Sequence, residues 1–150
     1  MNTIDGIIAD QQLYSVTPGV TVLEVARFMA ERRIGAVSVI EDEALVGIVS
    51  ERDLMTRVVA EGRDPKSTLV SDVMSRRLVH GAPGETYESC IAKMLEHKCR
   101  HLPILADGSR VIGMVSIRDL YRVDATEKAR QVEEMTEYLY SSPRVARNAI

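Results

Sequence analysis

Apolar positions along this chain recur at two spacings, and the chain switches between them in a fixed order. Val22, Val25, Ala26, Met29 and Ala30 stand at i, i+3, i+4, i+7 and i+8, the stripe of a helix with one buried face. Thr21 with Glu24 three residues on has the form of a capping box at its start. Gly35 interrupts the helical pattern, and Ala36-Val37-Ser38-Val39-Ile40 follows as a short β-branched run. The acidic turn Glu41-Asp42-Glu43 separates it from Leu45-Val46-Gly47-Ile48-Val49, and two such runs around a tight turn predict a hairpin. Ser50 then opens a second helix, with Leu54, Met55, Val58 and Val59 expected on its buried face.

The same order runs twice. Gly47-Ile48-Val49-Ser50-Glu51-Arg52-Asp53-Leu54 returns as Gly113-Met114-Val115-Ser116-Ile117-Arg118-Asp119-Leu120, sixty-six positions later. The helical stripe returns as Tyr87, Cys90, Ile91, Met94 and Leu95. With opening strands near Tyr14–Val16 and Val79–Gly81, each repeat reads β-α-β-β-α. Three short strands and single-faced helices are too little to stand alone. The expected fold is therefore α+β, two repeats packed as a pseudo-two-fold pair. The expected divisions are residues 1–62, 63–122 and a C-terminal helical extension, 123–150. In that extension a helix is predicted from Thr126 to Tyr140, with Val132, Met135 and Leu139 on one stripe and Ser141-Ser142-Pro143 as its stop. The stripe either caps the module or faces a second chain.

Composition narrows the function more than the fold. The chain has 150 residues, is 45 % apolar and carries a net charge of −3. That balance argues against nucleic acid, which normally needs a basic face. No apolar run is long enough to span a membrane, and acidic Asp5 and Asp10 stand where a signal peptide is basic. The two cysteines, Cys90 and Cys99, do not make a disulfide framework. A cytoplasmic location is expected. His97-x-Cys99-x-His101, with His80 upstream, is the only cluster with metal-ligand chemistry, but it crosses a helix end into a strand, and no metal is expected. No phosphate-loop, zinc-protease or nucleophile-elbow motif is present, so no enzyme is expected.

The doubled Gly-x-x-Ser-x-Arg-Asp-Leu segment, the strands 35–40 and 100–105, and the run-in segments 3–18 and 68–83 resemble the cystathionine-β-synthase (CBS) domain pair over roughly residues 3–122. Ser38 departs from the pattern, since the family often has proline there, as the second copy does at Pro103. The resemblance implies adenosine nucleotides bound in the cleft between the two domains, and pairs that dimerise into a flat disc.

The repeated residues suit such a ligand. Ser50 and Ser116 stand where a strand meets a helix, whose unpaired amides and dipole favour a phosphate. Asp53 and Asp119 lie three residues on, and a carboxylate can hold the paired hydroxyls of a ribose. Arg52, Arg118, Arg100 and His101 supply charge for phosphate. The same Ser-x-x-Asp is also a plain helix cap that needs no ligand. Carried over from the family, one site combines Ser116, Arg118 and Asp119 with a wall from Thr3, Ile8, Ile34, Gly35 and Ala36. Gly35 is expected to leave room for a purine edge. The other site combines Ser50, Arg52 and Asp53 with Thr68, Val73, Cys99, Arg100 and His101. The first is expected to pack adenine better.

The expectation is an adenine-nucleotide-sensing regulatory module, with AMP foremost and ATP, ADP or NAD as alternatives. It would act as a homodimer and signal to an effector protein. The alternative is a dimeric interaction scaffold with vestigial pockets. A metal- or thiol-based redox sensor using Cys99 and His101 is a third reading.

Overall fold

The computed structural model describes residues 2–76 and 78–141, with side chains as far as Tyr138. Its elements follow the predicted order. A one-turn helix α1 (Asp5–Ile8) precedes β1 (Ser15–Val16), α2 (Val22–Arg32), and the hairpin β2 (Ala36–Glu41) and β3 (Ala44–Ser50). Next come α3 (Glu51–Leu54), which widens into a π-helical turn over Met55–Val59, and the short α4 (Val70–Val73). The second half has α5 (Tyr87–His97), the hairpin β4 (His101–Ala106) and β5 (Arg110–Ser116), and α6 (Ile117–Ser141).

Strand β1 runs parallel to β2, which pairs antiparallel with β3; β4 and β5 form the second hairpin. Both hairpins bulge at matching places, between Val39 and Ile40 and between Ile104 and Leu105. The opening strand expected at Val79–Gly81 is reduced to one parallel bridge. There the Gly81 amide donates to the Pro103 carbonyl at 2.9 Å and the Leu105 amide to Gly81 at 3.0 Å. Pro83, two residues on, has no amide to continue the ladder.

Thr21 caps α2 as predicted: its Oγ1 accepts from the Glu24 amide at 3.2 Å, and the Glu24 carboxylate accepts from the Thr21 amide at 2.7 Å. The helix ends not at Gly35 but at Arg33, which adopts a left-handed φ of 54° as its C-cap; Lys98 does the same after α5. The buried stripes are narrower than expected. Val22, Val25 and Met29 are buried in α2, and Tyr87, Cys90 and Met94 in α5, whereas Leu95 is 61 % exposed. On α3 and its π turn, Val58 is buried but Met55 and Val59 are 59 % and 76 % exposed. Val70, Val73 and Met74 already close the core beside Val58, leaving no apolar surface for the other two.

Those three residues show how the halves are joined. Residues from the start of the second repeat complete the first core, while Ile4, fully buried, sits in the second core among Tyr87, Leu102 and Leu120. Each run-in therefore packs on the opposite half. At the end of the swap the repeated glycines matter: a Cβ on Gly47 would lie 2.5 Å from Met74 Sδ, and one on Gly113 2.5 Å from Ile8 Cγ2. The run-ins also cover the free hairpin edges. Ser75 pairs with Ile48 through two backbone bonds of 2.8 and 3.0 Å. In the other half the Gln11 side-chain amide imitates that pairing, donating to the Met114 carbonyl at 2.6 Å and accepting from its amide at 2.8 Å.

The C-terminal helix differs from expectation at its start. Nothing between Leu120 and Thr126 breaks a helix, so α6 begins at Ile117 and runs unbroken for 25 residues. Leu120 is buried and Val123 packs beside it against the second core. The predicted stop at Ser142-Pro143 and the Leu139 side chain lie outside the described residues. Among the described residues no helix is long and apolar enough to cross a membrane.

Candidate functional site

Two clefts open where the halves meet. The larger, about 940 Å³, is walled by the β5–α6 junction with Ser116 and Asp119 on one side and by Ile34, Gly35 and Ala36 on the other. The second, about 780 Å³, is walled by Ser50 and Asp53 at the β3–α3 junction and by Cys99 at the start of the opposing hairpin. Glu51, Arg100 and His101 line both.

Of the residues expected in the first site, Ile34, Gly35, Ala36, Ser116, Arg118 and Asp119 share the larger cleft. Thr3 and Ile8 do not line it. Thr3 forms a backbone bridge to Thr86, and Ile8 is held on Gly113. In the second site Ser50, Arg52, Asp53, Cys99, Arg100 and His101 come together. Thr68 and Val73 stay outside it, Thr68 donating to the Asp64 carbonyl at 2.7 Å and Val73 lying fully buried in the first core. The run-in does reach the larger cleft, but through Gln11, Gln12, Leu13 and Tyr14. A signal for them existed. If β1 runs parallel to β2, with Ser15 opposite Ser38, the residues just before Ser15 must lie beside Gly35 and Ala36. Met114 and Arg122 are further lining residues that the sequence reading passed over, and Arg33, which with Arg32 reads in sequence as the basic last turn of a helix or as a phosphate-binding pair, lines the cleft too.

The space beside Gly35 is not empty. A Cβ there would lie 3.1 Å from His101 Nε2 and 3.4 Å from Glu51 Oε1, so the missing side chain accommodates that imidazole rather than an open purine slot. Gly35 does not need a left-handed φ. Burial, helped by Arg100, holds the His101 ring below the usual histidine range, against the opposing pull of Glu51 and Asp119. At neutral pH it is an uncharged partition between the clefts.

Both Ser-x-x-Asp segments act as caps. Ser50 Oγ accepts from the Asp53 amide at 3.2 Å, and Asp53 Oδ2 accepts from the Ser50 amide at 2.9 Å and the Ser50 hydroxyl at 3.0 Å. The Asp53 side chain is only 12 % exposed, with Arg57 at 3.9 Å. The second copy is looser. Ser116 Oγ accepts from the Asp119 amide at 3.1 Å, the return bond stretches to 3.4 Å, and Arg122 donates to Asp119 Oδ1 at 2.6 Å. The Asp119 side chain is 29 % exposed and its Arg122 partner 70 %, so this carboxylate can be reached by displacing one solvated guanidinium. The larger cleft also holds Arg33, Arg100 and Arg118, a concentration of fixed positive charge suited to phosphate.

The thiols are poorly placed for redox chemistry. Burial, reinforced by Glu85, pushes the Cys90 thiol up to about 11, and burial also raises Cys99; both are protonated at neutral pH and slow as nucleophiles. Among the described residues no group of three or more His, Cys, Asp or Glu side chains is arranged to hold a metal ion.

Comparison with known proteins agrees with this architecture. The CBS domain matches twice, over residues 6–60 and 70–126. The chain is 38 % identical over 109 residues to the CBS domain-containing protein YhcV of Bacillus subtilis (strain 168), covering 73 % of this chain and 76 % of that one. It superposes with a TM-score of 0.76 and 35 % identity on a proposed signal-transduction protein with CBS domains from Burkholderia ambifaria MC40-6, covering 81 % of this chain and 93 % of that one. The CBS domain pair of protein MJ0100, solved with 5′-methylthioadenosine and S-adenosyl-L-methionine, shares the fold at a TM-score of 0.72 and 18 % identity, over 79 % and 92 % of the two chains. With two tandem matches spanning most of its length and a swapped two-half fold to accommodate them, this chain belongs to the CBS-domain family.

Proposed function

We propose that the chain is a regulatory module that senses an adenine nucleotide in the larger cleft and passes its occupancy to an effector protein. The observation that carries this reading is the convergence of three groups in that cleft. These are the Asp119 carboxylate, the first turn of a long helix at Ser116, and the guanidinium groups of Arg33, Arg100 and Arg118. They supply a sugar corner and a phosphate corner side by side. Tyr14 and Ile34 offer apolar surface for a base. The adenosine ligands of the MJ0100 pair support the ligand class. The arginines favour a phosphorylated member of it, AMP first, with ADP, ATP or NAD as alternatives. The cleft at Ser50 would be weaker, since Asp53 is closed into its own cap. Bound nucleotide would bridge the halves and favour one relative arrangement of them. A homodimer fits the exposed Met55 and Val59.

The caps also favour a second reading. Both Ser-x-x-Asp segments already serve as helix caps within the fold, so an interaction scaffold with unused pockets would keep them. Thermal unfolding with AMP, ADP, ATP, NAD and GMP separates the two. A ligand at 100 times its Kd adds about 2.7 kcal/mol, roughly 5–10 °C here. The sensor requires a shift with adenine but not guanine nucleotides, lost in Asp119→Ala and largely kept in Asp53→Ala. No shift at millimolar ligand would leave the scaffold standing.

A further inference from the structure

Two clefts built by a repeat should come with two sets of binding groups, and here one set is missing. Ala36 opens β2 opposite Ser50, and His101 opens β4 opposite Ser116, so Gly35-Ala36 and Arg100-His101 hold equivalent positions. The second repeat places a guanidinium and an imidazole there, whereas the first places nothing longer than a methyl group. The His101 ring crosses to the vacant side, its Nε2 3.1 Å from where a Cβ of Gly35 would stand. Arg100 and His101 consequently line both clefts, and with the ring uncharged at neutral pH the shared positive charge is that of Arg100.

The other charges decide what that sharing does. In the larger cleft Arg122 is taken up by Asp119 at 2.6 Å, which leaves Arg33, Arg100 and Arg118 facing the Glu51 carboxylate. The cleft stays positive even without Arg100. In the second cleft Arg57, from outside it, stands 3.9 Å from Asp53 and offsets that carboxylate. Arg52, Lys98 and Arg100 then face Glu51 and Glu96. Take Arg100 away and those charges cancel. Among the described residues none of Arg33, Arg52, Lys98, Arg100 and Arg118 is in an ion pair, so each is available to a ligand. A guanidinium turned to one side gives its planar fork to one phosphate. An anion across the His101 ring would then meet no net positive charge.

We infer that Arg100 is one cation serving two clefts, so that a phosphorylated nucleotide in the larger cleft excludes a second phosphate-bearing ligand from the other and still admits one without phosphate. The inference rests on the nucleotide reading of the larger cleft. Coupling between sites is reciprocal, so a phosphate held in the second cleft weakens the first by the same factor.

Calorimetric titration of the whole chain with AMP and with adenosine tests it. Asp119→Ala disables the larger cleft and gives the second cleft's own affinity for each ligand. It should fold, because the bond it loses to the Ser116 amide is already stretched to 3.4 Å while Ser116 Oγ keeps its contact to the amide of residue 119. In the parent the second AMP should bind about tenfold more weakly than AMP binds Asp119→Ala, and the second adenosine within about twofold of its own reference. Arg100→Gln, compared with the Asp119→Ala/Arg100→Gln double variant, should weaken AMP in both clefts and shrink the AMP gap to about twofold. A second AMP that binds as in Asp119→Ala would overturn the inference and leave the nucleotide reading intact. So would an equal gap for adenosine, which would mean crowding, or a gap that survives Arg100→Gln, which would mean direct repulsion between the phosphates. An Asp119→Ala chain that takes up no AMP would also overturn it, since the second cleft would be closed without competition. Failure of the parent to bind either ligand at millimolar concentration would sink the nucleotide reading together with the inference.

Discussion

Replacing Gly113 with alanine should test how the two halves are locked together. The added methyl would lie 2.5 Å from Cγ2 and 2.9 Å from Cβ of Ile8, against 2.5 Å from Sδ and 2.9 Å from Cγ of Met74 for Gly47→Ala. The distances match, but the obstacles do not. Ile8 is β-branched and stiff at χ1, and its clashing Cβ moves only if α1 moves. Met74 has a long unbranched side chain that can swing aside. Overpacking costs about 1–3 kcal/mol, offset by about 0.4–1 kcal/mol from the stiffer unfolded chain. Gly113→Ala should therefore lose about 1–2 kcal/mol net, or roughly 3–8 °C in Tm at this size. Gly47→Ala should stay within about 1 kcal/mol of the parent. Urea and thermal unfolding of Gly113→Ala, Ile8→Ala and the double variant complete the cycle. Removing the Ile8 branch should recover about 1 kcal/mol of coupling. Losses that simply add, or a larger loss for Gly47→Ala, would refute the account. Because the segment after Ile8 leads directly into Gln11–Tyr14, Gly113→Ala should also weaken any ligand of the larger cleft.

Two further outcomes are expected. Gln11→Leu strips both hydrogen bonds from the Met114 backbone and should cost about 1–3 kcal/mol with faster hydrogen exchange at the Met114 amide. Gln12→Leu, which loses only the exposed contact to the Tyr14 hydroxyl, should stay within about 0.5 kcal/mol. His101 should make stability depend on pH. Burial and Arg100 outweigh Glu51 and Asp119 and lower its folded pKa, so the unfolded chain takes up the proton first, at about 6.5. Its contribution is therefore flat above that value and falls as pH drops through it towards the folded pKa. Urea midpoints between pH 7.5 and 5.5 should decline for the parent and flatten in His101→Gln; equal slopes would exclude His101 as the cause.

What the sequence by itself determined was everything local or repeated. Thr21-x-x-Glu24 forms its own capping box, the alternating runs form their own hairpins, and the doubled Gly-x-x-Ser-x-Arg-Asp-Leu announces two related units at equivalent places. These follow from backbone periodicity and short-range hydrogen bonds, which need no knowledge of distant contacts. The grouping of Asp119 with Ile34–Ala36 came from the family resemblance rather than from the pattern of the chain, and these residues do line one cleft. The tertiary structure decided what depended on which half a segment packs against. Thr3 and Ile8 belong to an exchanged run-in spent on joining the halves, so the cleft takes the residues a few positions later. Gly35 looks like room for a ligand until His101, sixty-six positions away in the other repeat's hairpin, is seen to occupy it. Met55 and Val59 have the spacing of core residues, but the core had already been closed by Val70, Val73 and Met74. In each case a residue's role was set by a neighbour distant along the chain, and apolar spacing records which face a residue lies on, not whether something else has reached that face first.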